Sequence, residues 1–384
     1  MREQENWQRY CARPESALGG NEVTLLKDGE EAFSGMLTAI SGARKYVLLE
    51  FYAFADDSAG RAFSELLRRK AREGVAVYLI YDSVGSILTD RDFFLELAAA
   101  GVNVSEFRPV IFWKPYWNWI KRDHRKTVCV DGGCAFVGGF NITSQDAPLS
   151  LGGRGWKDTQ ACLLGPAAAQ IEQLFWEAWT ASTPVGGRRE PAGLASGAAP
   201  AGDKPVSVVS AGGIRNVRSI RRSYRYAIDR ALEYIYITNA YFLPDRLVYR
   251  RLVRAARRGV DVRVIAPMET DHPYVRWASW AMYAHLIKNG VKIYEWQGPI
   301  LHAKTAVIDG VWSSVGSHNL DHRSLHYNLE VNINVYDRGF GAGMARAFRD
   351  DLKRSKLVRL EDVRSRPLIA KAASKLLYLV RSWL

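Results

Sequence analysis

The stretch HRKTVCVD, residues 124–131, returns later in the chain as HAKTAVID, residues 302–309. In each copy a histidine is followed by a lysine two residues on and by an aspartate five residues further. The tetrapeptides GGFN, residues 138–141, and GSHN, residues 316–319, follow the two copies at the same distance. One short motif can arise by chance, whereas two complete copies with equal internal spacing indicate a duplicated chain.

The regions before the two motifs repeat the same order of predicted elements. In the first half, the apolar run at 46–54 predicts a strand, the helical spacing at 58–73 predicts a helix, and 75–81 predicts a second strand. The second half repeats this order at 234–238, 246–258 and 260–266. Such alternation predicts an α/β fold with a parallel-rich sheet that helices cover on both faces.

Composition divides the 384 residues into four segments. Residues 1–181 and 206–357 are the two predicted halves, each with one motif. Between them, residues 182–205 are rich in glycine, alanine and proline without apolar periodicity, which predicts a flexible linker. Residues 358–384 have the spacing of a basic amphipathic helix.

Strand geometry places the motif side chains relative to one another. Because side chains alternate faces along a strand, His124 and Lys126 should point the same way, as should His302 and Lys304. Two halves packed about a pseudo-two-fold axis would bring two imidazoles and two ammonium groups to one pocket. A phosphodiester requires such a set, with a nucleophile, an acid for the leaving oxygen and cations for the remaining oxygens.

The paired motif resembles that of the phospholipase D superfamily. The stretches VLLEF at 47–51 with Phe54, and ITNAYFLPD at 237–245, are similar to its bacterial cardiolipin synthase branch. The likeness runs from about Leu25 to about Lys356. It implies a duplicated phospholipase D fold, in which two pseudo-symmetric α/β/α halves form one active site.

The resemblance also implies roles. His124 would attack phosphorus and form a phosphohistidine, and His302 would act as general acid and base; the sequence alone is symmetric on this assignment. Asp158 and Glu330 fall where the family has supporting acidic residues, and we expect them to orient His124 and His302, in that order. The groups expected to hold the phosphoryl oxygens are Lys126, Lys304, Asn141 and Asn319.

Other motif residues have predicted structural roles. Asp131 and Asp309 close their strands on the face opposite the histidines, so we interpret them as turn-stabilising residues. Four small residues would allow the backbone to approach the phosphate closely, namely Gly138, Gly139, Gly316 and Ser317.

Charge and aromatic residues point to a membrane surface. The formal net charge of +13 favours an anionic partner. Four aromatic residues before the first motif suit a headgroup boundary or a packed core: Trp113, Tyr116, Trp117 and Trp119. In the tail, Leu376, Leu379 and Trp383 lie on an apolar stripe that could contact a bilayer or the protein body. No apolar run is long enough to span a membrane and the first 20 residues are polar, so we expect peripheral binding at the cytoplasmic face of a bacterial cytoplasmic membrane.

The expected function is phosphatidyl transfer that makes cardiolipin from two phosphatidylglycerol molecules on an anionic phospholipid membrane. The alternatives are a hydrolytic phospholipase D, a nuclease of the same superfamily and a non-catalytic lipid-binding protein. The catalytic set contains its own cations, so we expect no metal and no cofactor. Nucleic acid is not an expected partner, and the acceptor lipid and the oligomeric state stay open.

Overall fold

The computed structural model describes residues 4–110, 117–186, 198–212 and 219–381. Sixteen strands lie in one continuous sheet within these ranges. They are β1 (Leu18–Leu26), β2 (Tyr46–Phe51), β3 (Ala76–Asp82), β4 (Asn103–Phe107), β5 (Lys126–Val130), β6 (Cys134–Gly138), β7 (Gln160–Leu164), β8 (Thr183–Val185), β9 (Lys204–Ala211), β10 (Tyr234–Asn239), β11 (Asp261–Pro267), β12 (Lys292–Trp296), β13 (Lys304–Ile308), β14 (Trp312–Gly316), β15 (Glu330–Val335) and β16 (Ser355–Leu357).

Helices connect these strands. They are α1 (Gly29–Ser41), α2 (Ser58–Arg72), α3 (Arg91–Ala99), α4 (Trp117–Ile120), α5 (Ala168–Ala181), α6 (Ser219–Arg230), α7 (Arg246–Arg257), α8 (Pro273–Lys288), α9 (His322–His326), α10 (Arg338–Leu352), α11 (Leu360–Arg364) and α12 (Leu368–Leu379). Aspartates cap several helix starts; for example, the Asp57 side chain accepts hydrogen bonds from the first turn of α2.

Each half has helices on both faces of its sheet, which confirms the predicted α/β/α fold. Along β2, Val47 and Leu49 pack in a core with the side chains of α1, α2 and α3. Leu48 points to the other face, into a core that includes α5. β10 repeats the pattern, with Ile235 against α6, α7 and α8, and Tyr236 on the side of α10.

The sheet is not rich in parallel pairs, so that prediction is wrong. Among the described strands, the parallel pairs are β2–β3, β3–β4, β10–β11 and β11–β12, and the other eleven neighbouring pairs are antiparallel. The helical crossovers produce only these parallel pairs. The motif strands β5 and β13 belong to hairpins, which reverse the chain direction.

The two halves share one sheet and one core. β1 pairs with β7 of its own half on one side and with β9 of the second half on the other. A core between the halves contains first-half residues such as Leu48 and Phe175 together with second-half residues such as Val331 and Phe348. Apolar burial therefore stabilises the position of one half against the other.

Two predicted boundaries differ from the structure. The 3₁₀ segment Gln4–Tyr10 packs on the second half, where the Tyr10 hydroxyl donates to Asp309 at 2.7 Å and Trp7 contacts Tyr336. In the predicted linker, Thr183–Val185 forms β8 at the sheet edge and Lys204 begins β9. Residues 187–197 of the linker lie outside the described ranges.

The motif aspartates sit at the hairpin turns, away from the histidines. Asp131 and Asp309 have positive φ angles of 50° and 52°. The Asp309 carboxylate accepts the backbone N–H groups of Leu232, Glu233 and Tyr234 at 2.7–2.8 Å. Asp131 accepts the N–H groups of residues 44–46 in the same way. Each carboxylate thereby fixes the start of the adjacent strand, β10 or β2.

Asp309→Asn should lower the free energy of unfolding by roughly 1–3 kcal/mol, because the amide group replaces one of two acceptor oxygens with a donor. Asparagine tolerates the positive φ, so backbone strain adds little. Urea denaturation followed by circular dichroism measures the change. The control Glu233→Gln removes a neighbouring exposed charge and should leave stability within about 0.5 kcal/mol of the wild type. Equal midpoints for Asp309→Asn and the wild type would contradict this role.

Candidate functional site

The two motif segments meet at the boundary between the halves. The His124 N–H donates to the Leu329 carbonyl at 3.0 Å, and the His302 N–H donates to the Lys157 carbonyl at 2.7 Å. Each histidine is therefore hydrogen-bonded to the acidic loop of the opposite half, the segment that carries Glu330 or Asp158. The reciprocal bond from the Leu329 N–H to the Arg122 carbonyl, at 2.9 Å, completes the first pairing.

The histidine–carboxylate pairs are crossed between the halves. His124 Nδ1 lies 3.1 Å from both carboxylate oxygens of Glu330, and His302 Nδ1 lies 2.8 Å from Asp158 Oδ2. The expected order of the pairs is thus reversed, because each acidic loop extends across the boundary. A carboxylate that accepts the Nδ1–H proton fixes the tautomer and leaves Nε2 as the nitrogen available for chemistry.

Gly139 and Ser317 occupy matching positions in the two halves, and each lies beside one of these carboxylates. A Cβ atom on Gly139 would lie 2.5 Å from Asp158 Cγ, so the glycine leaves space for that carboxylate. The Ser317 hydroxyl donates to Glu330 Oε2 at 2.6 Å. Gly138 and Gly316 avoid collisions with the neighbouring strands β7 and β15. The space beside the three glycines is thus filled by protein atoms. A close approach of the backbone of these four residues to a phosphate stays a prediction.

The motif lysines lie behind the histidines. Lys126 Nζ donates to the His124 carbonyl at 2.6 Å, and Lys304 Nζ donates to the His302 carbonyl. Both side chains are fully buried. Burial lowers the pKa of Lys126 to about 7 and also lowers the pKa of Lys304. Their direct contact with phosphoryl oxygens stays a prediction.

A cavity of about 730 Å³ opens over these groups. Its walls combine His124, Asn141 and Trp156 of the first half with Tyr241, His302 and Asn319 of the second. Asn319 Oδ1 is buried without a hydrogen-bond partner, a polar atom available to a ligand. Rotation of the Asn319 side-chain amide by about 180° would present its NH₂ donors to the ligand instead.

The electrostatic surroundings of the two histidines differ. Burial, followed by the charges of Lys126 and Lys304, lowers the pKa of His124 well below its ordinary value of 6.5. His124 is therefore neutral at pH 7. Burial also raises the pKa of its partner Glu330. His302 instead has two carboxylates close by, Asp158 and Asp146, the second at 4.0 Å from Nδ1. The His302 ring therefore has one more carboxylate within 4.0 Å than the His124 ring has.

Asp146 is a site residue that the sequence analysis missed. Its Oδ2 accepts the Thr143 hydroxyl at 2.7 Å, and its buried Oδ1 has no hydrogen-bond partner. The corresponding position of the second half, five residues after Asn319, is Ser324. Asp146 has no acidic counterpart in the second copy, so the repeated pattern gives no signal for it.

A second missed group lines the cavity beside His302. The Tyr241 hydroxyl donates to both oxygens of Asp271 at 2.7 Å. Burial raises the pKa of Asp271, but His302 and His272 outweigh it and leave this pKa below its ordinary range. Asp271 is therefore a charged acceptor at the cavity wall. Its sequence signal would have been an acidic residue in the loop after β11, where a parallel strand ends.

One group among the described residues has the composition of a cation site. Ligand atoms of Asp146, Asp158 and His302 lie within 4.8 Å of one another. Asp158 already accepts the His302 Nδ1–H, and Lys304 Nζ lies 3.8 Å from the same carboxylate. A metal ion would displace that hydrogen bond and meet a resident ammonium, so these residues do not fit one.

The predicted membrane residues are only partly described. Trp113, Tyr116 and Trp383 lie outside the described ranges. Trp117 begins α4, and Trp119 is half-buried within it. Leu376 and Leu379 are exposed on α12. Within the described ranges, no helix has both the length and the apolar character needed to cross a bilayer.

Comparisons with known proteins show which family this chain is similar to. A family profile described as cardiolipin synthase, PLD-like domain, covers residues 36–179 and 224–352. Cardiolipin synthase A of Pseudomonas putida (strain GB-1) is 32% identical over 367 residues, which cover 94% of this chain and 76% of that protein. Cardiolipin synthase of Geobacillus kaustophilus (strain HTA426) is 33% identical over 365 residues, with 93% and 72% covered.

A solved structure shares the fold at low sequence identity. Phosphatidylserine synthase from Haemophilus influenzae Rd KW20 superposes with a TM-score of 0.77 over 98% of this chain and 100% of that chain. Its sequence is 14% identical, so the likeness is one of fold.

Lys126→Met should raise the pKa of His124, because the variant removes the largest charge effect that lowers it. The imidazole would then take up its proton at a higher pH. Titration of the histidine ring signals by NMR measures the midpoint, with His124→Gln used to assign the signal. The exposed Lys356, on the edge strand β16, provides the control variant Lys356→Met, which should leave the midpoint unchanged. An unchanged midpoint in Lys126→Met would contradict the electrostatic explanation.

Proposed function

Because the chain belongs to the cardiolipin synthase PLD-like family of the phospholipase D superfamily, we propose that it makes cardiolipin from two phosphatidylglycerol molecules and releases glycerol. The crossed histidine–carboxylate pairs at one cavity carry the proposal. They supply two imidazoles, each oriented through Nδ1 by a buried carboxylate, which suit the nucleophile and the acid of a two-step phosphoryl transfer.

In the first step, His124 Nε2 attacks phosphorus of one phosphatidylglycerol. The bond from phosphorus to the headgroup glycerol breaks, and His302 donates a proton to the departing oxygen. The low pKa of His124 supports its role as nucleophile, because the ring keeps its lone pair at pH 7. Asp158 supports the proton-transfer role of His302, because acceptance of the Nδ1–H leaves Nε2 as the nitrogen that exchanges protons with substrate oxygens.

In the second step, a hydroxyl of another phosphatidylglycerol loses its proton to His302 and attacks the phosphohistidine. The phosphorus–nitrogen bond breaks, which returns His124 to its neutral form and leaves His302 protonated as at the start. Asn141, Asn319, Lys126 and Lys304 would stabilise the charge that develops on the phosphoryl oxygens. Water in place of the second lipid would give phosphatidic acid by the same route.

The exposed face of α12 supports a membrane location for this reaction. One face of the helix, with Leu377 and Tyr378, packs against the core that includes α8, and the Ser374 hydroxyl donates to the Trp277 carbonyl at 2.7 Å. Its other face is solvent-exposed and largely apolar, with Leu368, Ile369, Leu376 and Leu379. Within the part of the chain that the structure describes, nothing covers this face, and it suits the interface of a phospholipid bilayer. We expect peripheral attachment at the cytoplasmic face.

Purified protein incubated with phosphatidylglycerol vesicles should produce cardiolipin and glycerol in equal amounts, detected by mass spectrometry. His124→Ala should reduce turnover by at least about 1,000-fold, because the variant lacks the nucleophile. Glu233→Gln is a matched control away from the cavity and should retain turnover. Phosphatidic acid without cardiolipin would instead identify a hydrolase, and near wild-type turnover in His124→Ala would refute the nucleophile assignment.

A phosphatidyl ester of p-nitrophenol separates the two histidines, because nitrophenolate leaves without protonation. His302→Ala should release a rapid burst of about one nitrophenolate per protein and then stall, since the second step lacks its base. Asp158→Asn should resemble His302→Ala, whereas Glu330→Gln should resemble His124→Ala and show no burst. The opposite pattern in the two carboxylate variants would mean that the crossed pairs are not the functional ones. Stopped-flow absorbance measures the burst.

A further inference from the structure

Among the described residues, the most exposed large apolar side chains include a neighbouring pair at the mouth of the catalytic cavity. Ile87 is 62% exposed and Leu88 is 98% exposed, and both line the cavity. They lie in the loop between β3 and α3, residues 83–90. Single exposed apolar residues are common on protein surfaces. Two in succession at the entrance of a site need a specific explanation.

This loop is held firmly despite its exposed tip. The Asp82 side chain accepts the Val84 and Gly85 N–H groups at 2.9 and 3.2 Å. Further along, Ser86 Oγ accepts the Phe54 N–H at 3.0 Å, and the Thr89 hydroxyl donates to the Phe54 carbonyl at 2.9 Å. The hydrogen bonds on both sides of Ile87 and Leu88 fix the direction of the loop tip. Little conformational entropy is therefore lost when the tip leaves water for apolar surroundings.

Gly85 shows how closely the loop fits the strand segment below it. A Cβ atom at this position would lie 2.6 Å from the Tyr52 carbonyl carbon, which is too close for any side chain. Tyr52 in turn contacts the His124 ring, with centroids 5.1 Å apart. The exposed tip is therefore connected to the nucleophile through a short, tightly packed path.

The second half also places apolar groups near the cavity mouth. Tyr274, in the first turn of α8, lines the cavity and is partly exposed, and Trp277 is exposed one turn further along the helix. α12 packs against α8 and leaves its apolar face in solvent. Lys375 lies on that exposed face, and the chain carries a net charge of +13. Apolar tips accompanied by positive charge match an anionic bilayer rather than a water-soluble partner.

We propose that Ile87 and Leu88 insert into the acyl region of an anionic phospholipid bilayer and hold the cavity mouth at the level of the headgroups. Both halves would then contact the same membrane. The first half would do so through the loop at 83–90, and the second half through the surface formed by α8 and α12. The choice of a phospholipid bilayer rests on the proposed function, since the substrates would enter the cavity from it.

The test uses a polarity-sensitive dye and does not depend on turnover. Leu88→Cys is labelled with nitrobenzoxadiazole on a background in which the half-buried Cys134 and Cys162 are replaced by serine. Phosphatidylglycerol vesicles should shift its emission to the blue, and lipids spin-labelled on the acyl chain should quench it. The same dye at Leu376 reports on α12. The matched control is Leu232→Cys, an exposed site next to Asp309 at the far end of β13, which should show neither effect.

Ile87→Ser with Leu88→Ser should raise the vesicle concentration needed for half-maximal flotation by at least about tenfold, because two apolar side chains leave the bilayer. Leu232→Ser should leave it unchanged. If the protein binds vesicles and the emission of the Leu88 dye does not shift, the inference is overturned. It is also overturned if raising the protein concentration without vesicles produces the same shift, because that would indicate self-association. A shifted dye without cardiolipin production would leave the inference standing and refute the proposed reaction.

Discussion

The exchange of carboxylates between the halves is the interaction on which the site depends. Glu330 holds His124 and Asp158 holds His302, and all four side chains are buried. A buried carboxylate without a partner is strongly unfavourable, so each half contains an acidic group whose burial requires the other half. The pairing of β1 with β9 and the common apolar core hold the two halves in one relative position. This position brings each carboxylate to the histidine of the other half.

Near-symmetry of the backbone coexists with different surroundings for the two histidines. His124 has buried lysines as its main electrostatic neighbours, while His302 has a second carboxylate, Asp146, that the other half replaces with Ser324. The matching residues Gly139 and Ser317 also interact differently with the carboxylates beside them. Gly139 leaves space for Asp158, whereas Ser317 donates a hydrogen bond to Glu330. A duplicated fold can in this way give its two imidazoles different neighbours while the backbone around them stays nearly symmetric.

Much of the fold could be predicted from the sequence because local patterns determine it. The helix at 58–73 is observed at Ser58–Arg72, and the repeated motifs led to the duplicated architecture. Strand direction was missed, since periodicity describes the faces of a strand and not its neighbours. The crossed pairs were missed for a related reason: the sequence shows that Asp158 follows His124, but the contact is decided by how the halves pack. The position of Tyr10 on the second half is equally invisible to local patterns.

The crossed pairs also affect the order in which the chain acquires its properties during synthesis. A nascent chain that ends before Glu330 already contains His124, but the carboxylate that fixes its tautomer has not yet been made. Tyr10 must likewise wait for Asp309, which lies 299 residues further along the chain. The complete pairs can therefore form only after the second half has been made. A truncated product would retain a complete motif but would lack the carboxylate that fixes the tautomer of its histidine.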